Sequence, residues 1–375
     1  MKITPKIVVV ITGSLLTCAT VQAGGLYLYE TSTTDIGLAS AGMAARAQDA
    51  SVMVANPAGL SNVSGQSFSG NAINLYGDAE LDTISSHTGN VIGYVPMGSL
   101  FYSQAINDRW TWGIGVYGNY GLGLGYDKLV ESSFARLDVP TAITQAMTVQ
   151  PTASYQINEQ WSIGAGVGIQ YGIFQIEANA STEEQHSSIE SEDTDVRVDG
   201  HVGILYELVP GTRFGLSYTS ETNFEFDKSN SVAPQQVIFS IYQQVNNKFA
   251  WMSNVNWQDW SEYQTTFKAD TQDTYQVAFG SQYQISNNVI WNAGFAYDSS
   301  MYEEQSHGDI TVPTGDSYRF GTGIDYKWDK EHSVSIAFEA IIVDSSEVTA
   351  HGGTQVASFK DPALYFLSLG YGWKN

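Results

Sequence analysis

The chain has 375 residues and a net charge of −23; charged side chains make up 15% of it and aromatic side chains 13%. An ordinary soluble domain carries roughly 25% charged residues, so this composition is unusual. The acidic balance excludes non-specific binding to nucleic acid or to an anionic surface. The single cysteine excludes a disulfide framework.

Residues 1–23 are predicted to be a secretory signal peptide. A basic start at Lys2 and Lys6 is followed by an apolar run and by the small-residue cleavage site Val21-Gln22-Ala23. The alternative is a lipoprotein signal with the lipid on Cys18. The bulky threonine before that cysteine argues against the lipoprotein signal.

Residues 24–66 do not carry the pattern of a strand. Glycine, alanine and serine are dense there, and polar residues are scattered among them. Pro57 would interrupt a central strand, because proline cannot donate to the ladder. This segment is therefore predicted to be a separate unit ahead of the strands.

From Ser67 onwards, apolar residues alternate with small or polar ones, as they do in membrane-spanning β-strands. Tyr275, Phe279 and Tyr283 fall on one face of residues 274–285, opposite glutamine, glycine and alanine. A soluble sandwich would carry charges on its outer face, whereas aromatic apolar faces are typical of membrane-interface girdles. The pattern recurs at 161–173, 196–206, 213–219, 249–257, 289–297, 318–328, 334–342 and 363–373.

Tight turns of one type separate pairs of these strands. Ile106-Asn107-Asp108-Arg109-Trp110, Ile157-Asn158-Glu159-Gln160-Trp161 and Val245-Asn246-Asn247-Lys248-Phe249 share an apolar residue, turn formers and an aromatic residue. They are predicted to be periplasmic turns. Longer polar links are predicted to be extracellular loops, at 78–89, 121–140, 178–194, 225–233, 259–272, 299–316 and 345–360.

The predicted fold is all-β: a transmembrane, antiparallel, up-and-down β-barrel of about 14 strands over residues 67–375. Side chains alone do not fill the lumen of so wide a barrel. Residues 24–66 can therefore lie outside the barrel or fill its lumen as a plug, or hatch.

Three segments resemble the FadL/TodX (OmpP1) family of outer-membrane transporters for long-chain fatty acids and hydrophobic compounds. Gly37-Leu38-Ala39-Ser40-Ala41-Gly42 and the stretch from Asp49 through Asn56-Pro57-Ala58-Gly59 resemble the hatch of that family. Val255-Asn256-Trp257-Gln258-Asp259-Trp260-Ser261 resembles its Trp-x-x-Trp-Ser segment. The similarity runs across essentially the whole mature chain.

The resemblance implies passive uptake of fatty acids or similar hydrophobic molecules across the bacterial outer membrane. Extracellular loops would capture the ligand, the lumen would bind it, and hatch movement would release it sideways through a kinked third strand. The glycines Gly113, Gly115, Gly118 and Gly121 are the candidates for that kink, or they relieve crowding inside the barrel. Tyr126, Leu129, Val130 and Phe134 are candidates for the outer landing groove.

The resemblance also implies a setting and partners. The barrel would be a monomer surrounded by outer-membrane lipid and lipopolysaccharide, and the barrel-assembly machinery would insert it. Barrels of this kind usually end in an aromatic residue, whereas here Trp373 is followed by Lys374 and Asn375.

The lumen-facing charges admit two interpretations. Arg197 or Arg319 contacts the carboxylate of a fatty acid. Alternatively, these arginines pair with Asp199, Asp325 and Glu339 to join the wall to the hatch.

No catalytic site, cofactor or metal site is predicted. The chain has no G-x-S-x-G or H-E-x-x-H motif, and its six histidines are scattered. The Gly113–Gly118 match to G-x-G-x-x-G has no following helix. The acidic run 183–195 is a solvated surface or a calcium site.

The alternative functions are transport of aromatic hydrocarbons, a structural or adhesive barrel, and a general porin. A porin needs an open polar lumen, which a hatch would obstruct. An adhesin would be expected to have longer and more elaborate loops.

Overall fold

The computed structural model describes residues 27–83, 87–131, 135–182, 185–227, 230–263, 269–310, 312–350 and 354–375. The helices are α1 (Thr33–Gly37), α2 (Val52–Ala55) and the 3-10 helices Pro57–Asn62 and Gln305–His307. The strands are β1 (Gln66–Thr83), β2 (His87–Asn90), β3 (Gly93–Ala105), β4 (Trp110–Glu131), β5 (Ala135–Gln156), β6 (Trp161–Thr182), β7 (His186–Val209), β8 (Thr212–Thr219), β9 (Thr222–Glu225), β10 (Asn230–Ala233), β11 (Gln236–Gln244), β12 (Phe249–Gln258), β13 (Thr274–Ser286), β14 (Val289–Asp298), β15 (Ser317–Lys327), β16 (His332–Val343), β17 (Ser346–Ala350) and β18 (Thr354–Lys374). The predicted signal peptide lies outside the described residues.

Fourteen strands close into an antiparallel barrel, which confirms the predicted fold. Each wall strand pairs with the next one along the chain, and β18 pairs with β1 to complete the ring. The short strands β2 and β17 pair with β1 and β18, while β9 and β10 form a separate hairpin. The wall consists of β1, β3–β8, β11–β16 and β18.

Alternate side chains of the wall point outward, as the sequence predicted. On β13, Tyr275, Phe279 and Tyr283 are 52%, 57% and 43% exposed, whereas Thr274 and Gln276 are buried. Period-two alternation puts one apolar row of each strand towards lipid. Exposed aromatic residues lie near both strand ends, including Trp110, Trp161, Trp291 and Trp328 at one end and Tyr94, Tyr218, Tyr275 and Tyr318 at the other.

Three tight turns at one end of the barrel, here called the short-turn end, have the same side-chain acceptor. The Oδ1 of Asn107 accepts from the backbone N–H groups of Arg109 and Trp110, at 2.9 and 3.0 Å. Asn158 and Asn246 do the same in their own turns. In these three turns the asparagine therefore stabilises the chain reversal.

Several predicted loops were wrong in extent, because strands continue through them at the opposite, long-loop end. β4 and β5 extend into 121–140, and β6 and β7 extend into 178–194. Strands also enter 78–89, 225–233 and 345–360. Where both faces of a paired strand meet water, the backbone ladder persists but the apolar alternation that predicts it disappears.

Residues 27–63, here called the lumen segment, occupy the barrel interior. α1 contacts β14, β15, β16 and β18, whereas the 3-10 helix Pro57–Asn62 contacts β4–β7 on another part of the ring. Most side chains of the segment are buried. Within the described ranges, no helix is long and apolar enough to cross a membrane.

Two apolar clusters fill the interior. The inner cluster lies where the lumen segment meets the wall and includes Met53, Leu60, Phe101, Tyr117 and Met252. The outer cluster lies towards the long-loop end. It includes Leu28, Leu75, Leu81, Val95, Tyr120, Phe224, Trp260, Met301, Phe359 and Phe366.

Candidate functional site

Asn56 joins the lumen segment to the wall. Its Oδ1 accepts from the N–H of Ala58 at 3.0 Å, which caps the 3-10 helix. Its Nδ2 donates to the carbonyl oxygens of Ala44 and of Ile204 on β7, at 2.7 and 3.0 Å. Pro57 takes the first helical position, where its missing N–H costs no hydrogen bond. The motif therefore builds a defined turn and fastens it to the barrel.

Ala58 and Gly59 allow close packing around this turn. Ser154 Oγ donates to the Ala58 carbonyl at 3.0 Å. A Cβ on Gly164 of β6 would lie 2.3 Å from the Ala58 nitrogen, and one on Gly59 would lie 2.4 Å from a methyl group of Val52. The backbones of the wall and of the lumen segment lie so close together here that only glycine, which has no Cβ, fits between them.

Polar side chains on the inner wall complete the hydrogen bonding of the lumen segment. The segment has little regular structure of its own, so its backbone groups need such partners. The contacts are Gly42 N–H to Asn254 Oδ1 at 2.9 Å, Ala44 N–H to Ser240 Oγ at 3.1 Å, and Gln150 Nε2 to the Met53 carbonyl at 2.9 Å.

Arg319 is at the centre of a buried ionic cluster that also joins wall and segment. Its Nε lies 2.5 Å from Asp298, and its Nη1 pairs with Glu30 of the lumen segment. Glu339 lies 4.0 Å from the same nitrogen, and both of its carboxylate oxygens lack a hydrogen-bond partner. Arg319 thus makes the wall-to-segment link, with Glu30 and Asp298 as partners instead of Asp325.

Arg197 faces inward near the long-loop end of β7 and is also paired. Its guanidinium lies 2.6 Å from Asp195 and 3.1 Å from Glu225 of the β9–β10 hairpin. The side chain is one-third exposed. Arg197 therefore joins the wall to this hairpin.

The four glycines predicted in the third wall strand, β4, divide into two pairs. A Cβ on Gly113 would lie 2.7 Å from Met53, and one on Gly115 would lie 2.9 Å from Phe101, so these two make room for the inner cluster. Gly118 and Gly121 adjoin a change of register against β5 between Gly118 and Tyr120. Gly121 has φ of 140°, a conformation that side chains disfavour.

At this irregularity β4 separates from β3. The pairing of the two strands ends at Tyr117 and Ser99, so Gly93–Gly98 of β3 have no partner on β4 in that register. The carbonyl of Asn119 instead accepts from the N–H of Leu28 at 2.8 Å. This place, where β4 leaves β3 and bonds to the lumen segment, is here called the bend of β4.

The outer cluster contains residues that sequence reasoning missed. Trp260 is 1% exposed, and its indole N–H donates to Gln258 at 3.0 Å; the Trp-x-x-Trp-Ser segment was its available signal. Phe224 is equally buried but lies between the predicted strand 213–219 and the predicted loop 225–233, where no periodicity marks it. Of the candidate landing residues, Phe134 lies outside the described residues, as do the side chains of Tyr126, Leu129 and Val130.

The short-turn end has a different character. A cavity of about 350 Å³ lies there between the lumen segment and the wall, lined by charged and polar groups that include Asp49, Asp325, Lys327 and Lys374. Apolar side chains, among them Phe68 and Trp373, also line this cavity, so its walls are of mixed character.

Comparisons with known proteins agree with this architecture. Residues 14–366 match the family model described as outer membrane protein transport protein (OMPP1/FadL/TodX). The long-chain fatty acid transport protein of Escherichia coli O6:H1 is 23% identical, over 92% of this chain and 93% of that one. Outer membrane protein P1 of Haemophilus influenzae is also 23% identical, over 96% and 97%.

Solved structures show the same fold. A Pseudomonas aeruginosa FadL homologue superposes with a TM-score of 0.81 at 15% identity, covering 93% of this chain and 99% of that one. The P. putida toluene transporter TodX superposes with a TM-score of 0.70 at 14% identity, covering 93% and 99%.

Proposed function

The chain belongs to the OMPP1/FadL/TodX family of outer-membrane transport proteins, and we propose that it takes up long-chain fatty acids or similar hydrophobic molecules. The ligand is captured at the extracellular loops, which we assign to the long-loop end, and enters the outer cluster. Movement of the lumen segment then lets it leave sideways where β4 bends away from β3.

Lateral exit suits the chemistry of the cargo. Each CH₂ group that passes from an apolar site into water costs about 0.8 kcal/mol. The cavity at the short-turn end is lined in part by charged groups, so an axial route would lead a hydrophobic molecule past Asp49, Asp325 and Lys327. A route through the wall keeps the molecule in apolar surroundings.

The observation that carries the proposal is the contact between the outer cluster and the bend of β4. Tyr120 belongs to that cluster and lies at the register change of the strand. The neighbouring Asn119 is hydrogen-bonded to Leu28, also in the cluster. An apolar interior, the start of the lumen segment and the interrupted wall pairing therefore meet at one place.

An uncharged aromatic hydrocarbon is the second candidate substrate. The interior arginines Arg46, Arg197, Arg213 and Arg319 each already have a partner. A fatty-acid carboxylate that approached one of these arginines would have to compete with that partner, whereas a hydrocarbon would not. The relatives include proteins named for both substrate classes.

A general porin and an adhesive barrel have less support. A general porin requires a continuous polar channel, and the lumen segment fills the interior here. The family consists of transport proteins, which disfavours both an enzyme and a purely adhesive barrel.

The test is uptake of radiolabelled oleate and toluene by cells that lack their own fatty-acid transporter and express this chain. Oleate uptake that is lost in Asn56→Ala/Pro57→Ala, at equal surface expression, would support fatty-acid transport linked to the lumen segment. Faster entry of toluene without uptake of oleate would indicate that the substrates are aromatic hydrocarbons. Uptake of neither compound by a correctly inserted barrel would overturn the proposal.

A further inference from the structure

Four aromatic rings form a continuous stack beside the neighbouring wall strands β4, β5 and β6 at the long-loop end. Phe174 of β6 stacks on Phe226 with 5.7 Å between ring centroids and 26° between planes. Phe226 stacks on Phe224 at 5.9 Å and 7°, and Phe224 stacks on Tyr120 at 5.9 Å and 22°. The stack therefore runs along the inner face of the wall, from Phe174 on β6 to Tyr120 at the bend of β4.

The middle of the stack comes from the inward-folded β9–β10 hairpin. Phe224 is 1% exposed, so the hairpin inserts a large apolar ring into the outer cluster. A Cβ on Gly172 of β6 would lie 2.6 Å from the Phe224 ring, so the wall provides a glycine where this ring packs. The N–H groups of Glu225 and Asp227 donate to Asp195 and Asp193 of β7, at 2.8 and 2.7 Å.

Tyr120 fastens the same hairpin to the third wall strand. Its hydroxyl lies 2.6 Å from Ser231 Oγ and donates to the Val232 carbonyl at 3.1 Å. On its backbone, Tyr120 forms a bridge with Tyr27 at the start of the lumen segment. The residue at the bend of β4 therefore contacts the hairpin through its side chain and the lumen segment through its backbone.

We propose that Phe224 and Tyr120 form a specificity-determining constriction between the outer cluster and the bend of β4. The inference rests on the proposed function. A substrate reaches the wall opening by separating these two rings, which stack in the described structure. A flat single ring or one acyl chain needs a small separation, whereas a broad fused-ring molecule requires the hairpin to leave the lumen.

The experiment compares three probes in the uptake assay: the two narrow probes toluene and oleate, and the broad fused-ring molecule pyrene. Phe224→Ala removes the ring and is expected to raise pyrene uptake relative to oleate by about tenfold, a usual size for the loss of one discriminating apolar contact. Phe224→Leu keeps an apolar side chain and is expected to give an intermediate ratio. Phe239→Ala is the matched control, because Phe239 lies on β11 with its ring 42% exposed on the outer face.

The Tyr120→Phe variant distinguishes the contribution of the aromatic ring from that of the hydrogen bonds made by its hydroxyl. It keeps the stacking surface but loses the contacts to Ser231 and Val232, so pyrene uptake is expected to rise less than in Phe224→Ala. The folded barrel is quantified in every strain by its heat-modifiable mobility. Phe224→Leu keeps the test decisive if the alanine variant assembles poorly.

The possible results separate the two proposals. Equal pyrene-to-oleate ratios in wild type, Phe224→Ala, Phe224→Leu and Phe239→Ala would overturn the constriction while leaving the transport function intact. Uptake of none of the three probes by the wild-type barrel would overturn the transport function, and the constriction with it. A raised ratio only in the Phe224 variants and, to a smaller extent, in Tyr120→Phe supports the constriction.

Discussion

The backbone N–H of Leu28 donates to the carbonyl of Asn119 at 2.8 Å, so the lumen segment supplies a hydrogen bond to the third wall strand where the second strand no longer does. A buried carbonyl without a partner would cost free energy. The bend of β4 and the start of the lumen segment therefore stabilise each other, and displacement of one is expected to affect the other.

Asn56 is expected to anchor the lumen segment. Asn56→Ala removes the cap on the 3-10 helix and the bonds to Ala44 and Ile204, and the capping loss alone is worth about 1–2 kcal/mol. Hydrogen exchange of residues 44–60 should become faster while that of the wall strands stays the same. Asn62→Ala, which removes one bond to Ala47, is the milder control. Unchanged exchange in Asn56→Ala would contradict this anchoring role.

The close approach of β6 to the lumen segment makes Gly164 sensitive. Gly164→Ala would place a methyl group 2.3 Å from the Ala58 nitrogen, so the segment must shift away from the wall. Reconstituted in planar bilayers, this variant should conduct small ions more than the wild type. Gly200→Ala is the control, because its nearest neighbour would be 3.9 Å away. Equal conductance of both variants and wild type would refute the prediction.

The Arg319 cluster should depend strongly on its single cation. Arg319→Met leaves Glu30, Asp298 and Glu339 buried without a positive charge, and breaking such a network costs about 3–5 kcal/mol. The folded fraction in a urea titration should fall. Adding Glu30→Gln and Asp298→Asn should recover part of the loss, because two of the three buried carboxylates are then removed. A single variant as stable as wild type would argue against a structural role for this arginine.

Gly121 should tolerate substitution less well than Gly118. Gly121→Ala forces a side chain into φ of 140°, at a cost of about 1–3 kcal/mol, and should disturb the bend of β4. Gly118→Ala would meet only the Ala146 carbonyl at 3.5 Å, an ordinary contact. Uptake of the preferred probe at matched barrel levels should therefore fall in Gly121→Ala and persist in Gly118→Ala. The reverse order would be inconsistent with a bend that depends on Gly121.

The barrel was predictable from the sequence where the strands cross the membrane, because apolar and polar residues alternate there. On β13, lipid on one side and a polar interior on the other require Tyr275, Phe279 and Tyr283 to alternate with uncharged residues. The turn asparagines were predictable for a local reason, since Asn107 bonds the backbone two and three residues ahead. Beyond the membrane, this alternation ends in β6 and β7, so the sequence did not predict their full length.

The sequence by itself determined that the chain forms a barrel with an unusual N-terminal segment, because strand alternation and the Asn56-Pro57 turn depend on neighbouring residues. The tertiary structure decided which partners meet across the interior. Arg319 pairs with Glu30 from 289 positions away, and Tyr120 meets both Phe224 and Tyr27. Such contacts depend on ring closure and on how the lumen segment lies within the ring, and neither leaves a periodic signal along the chain.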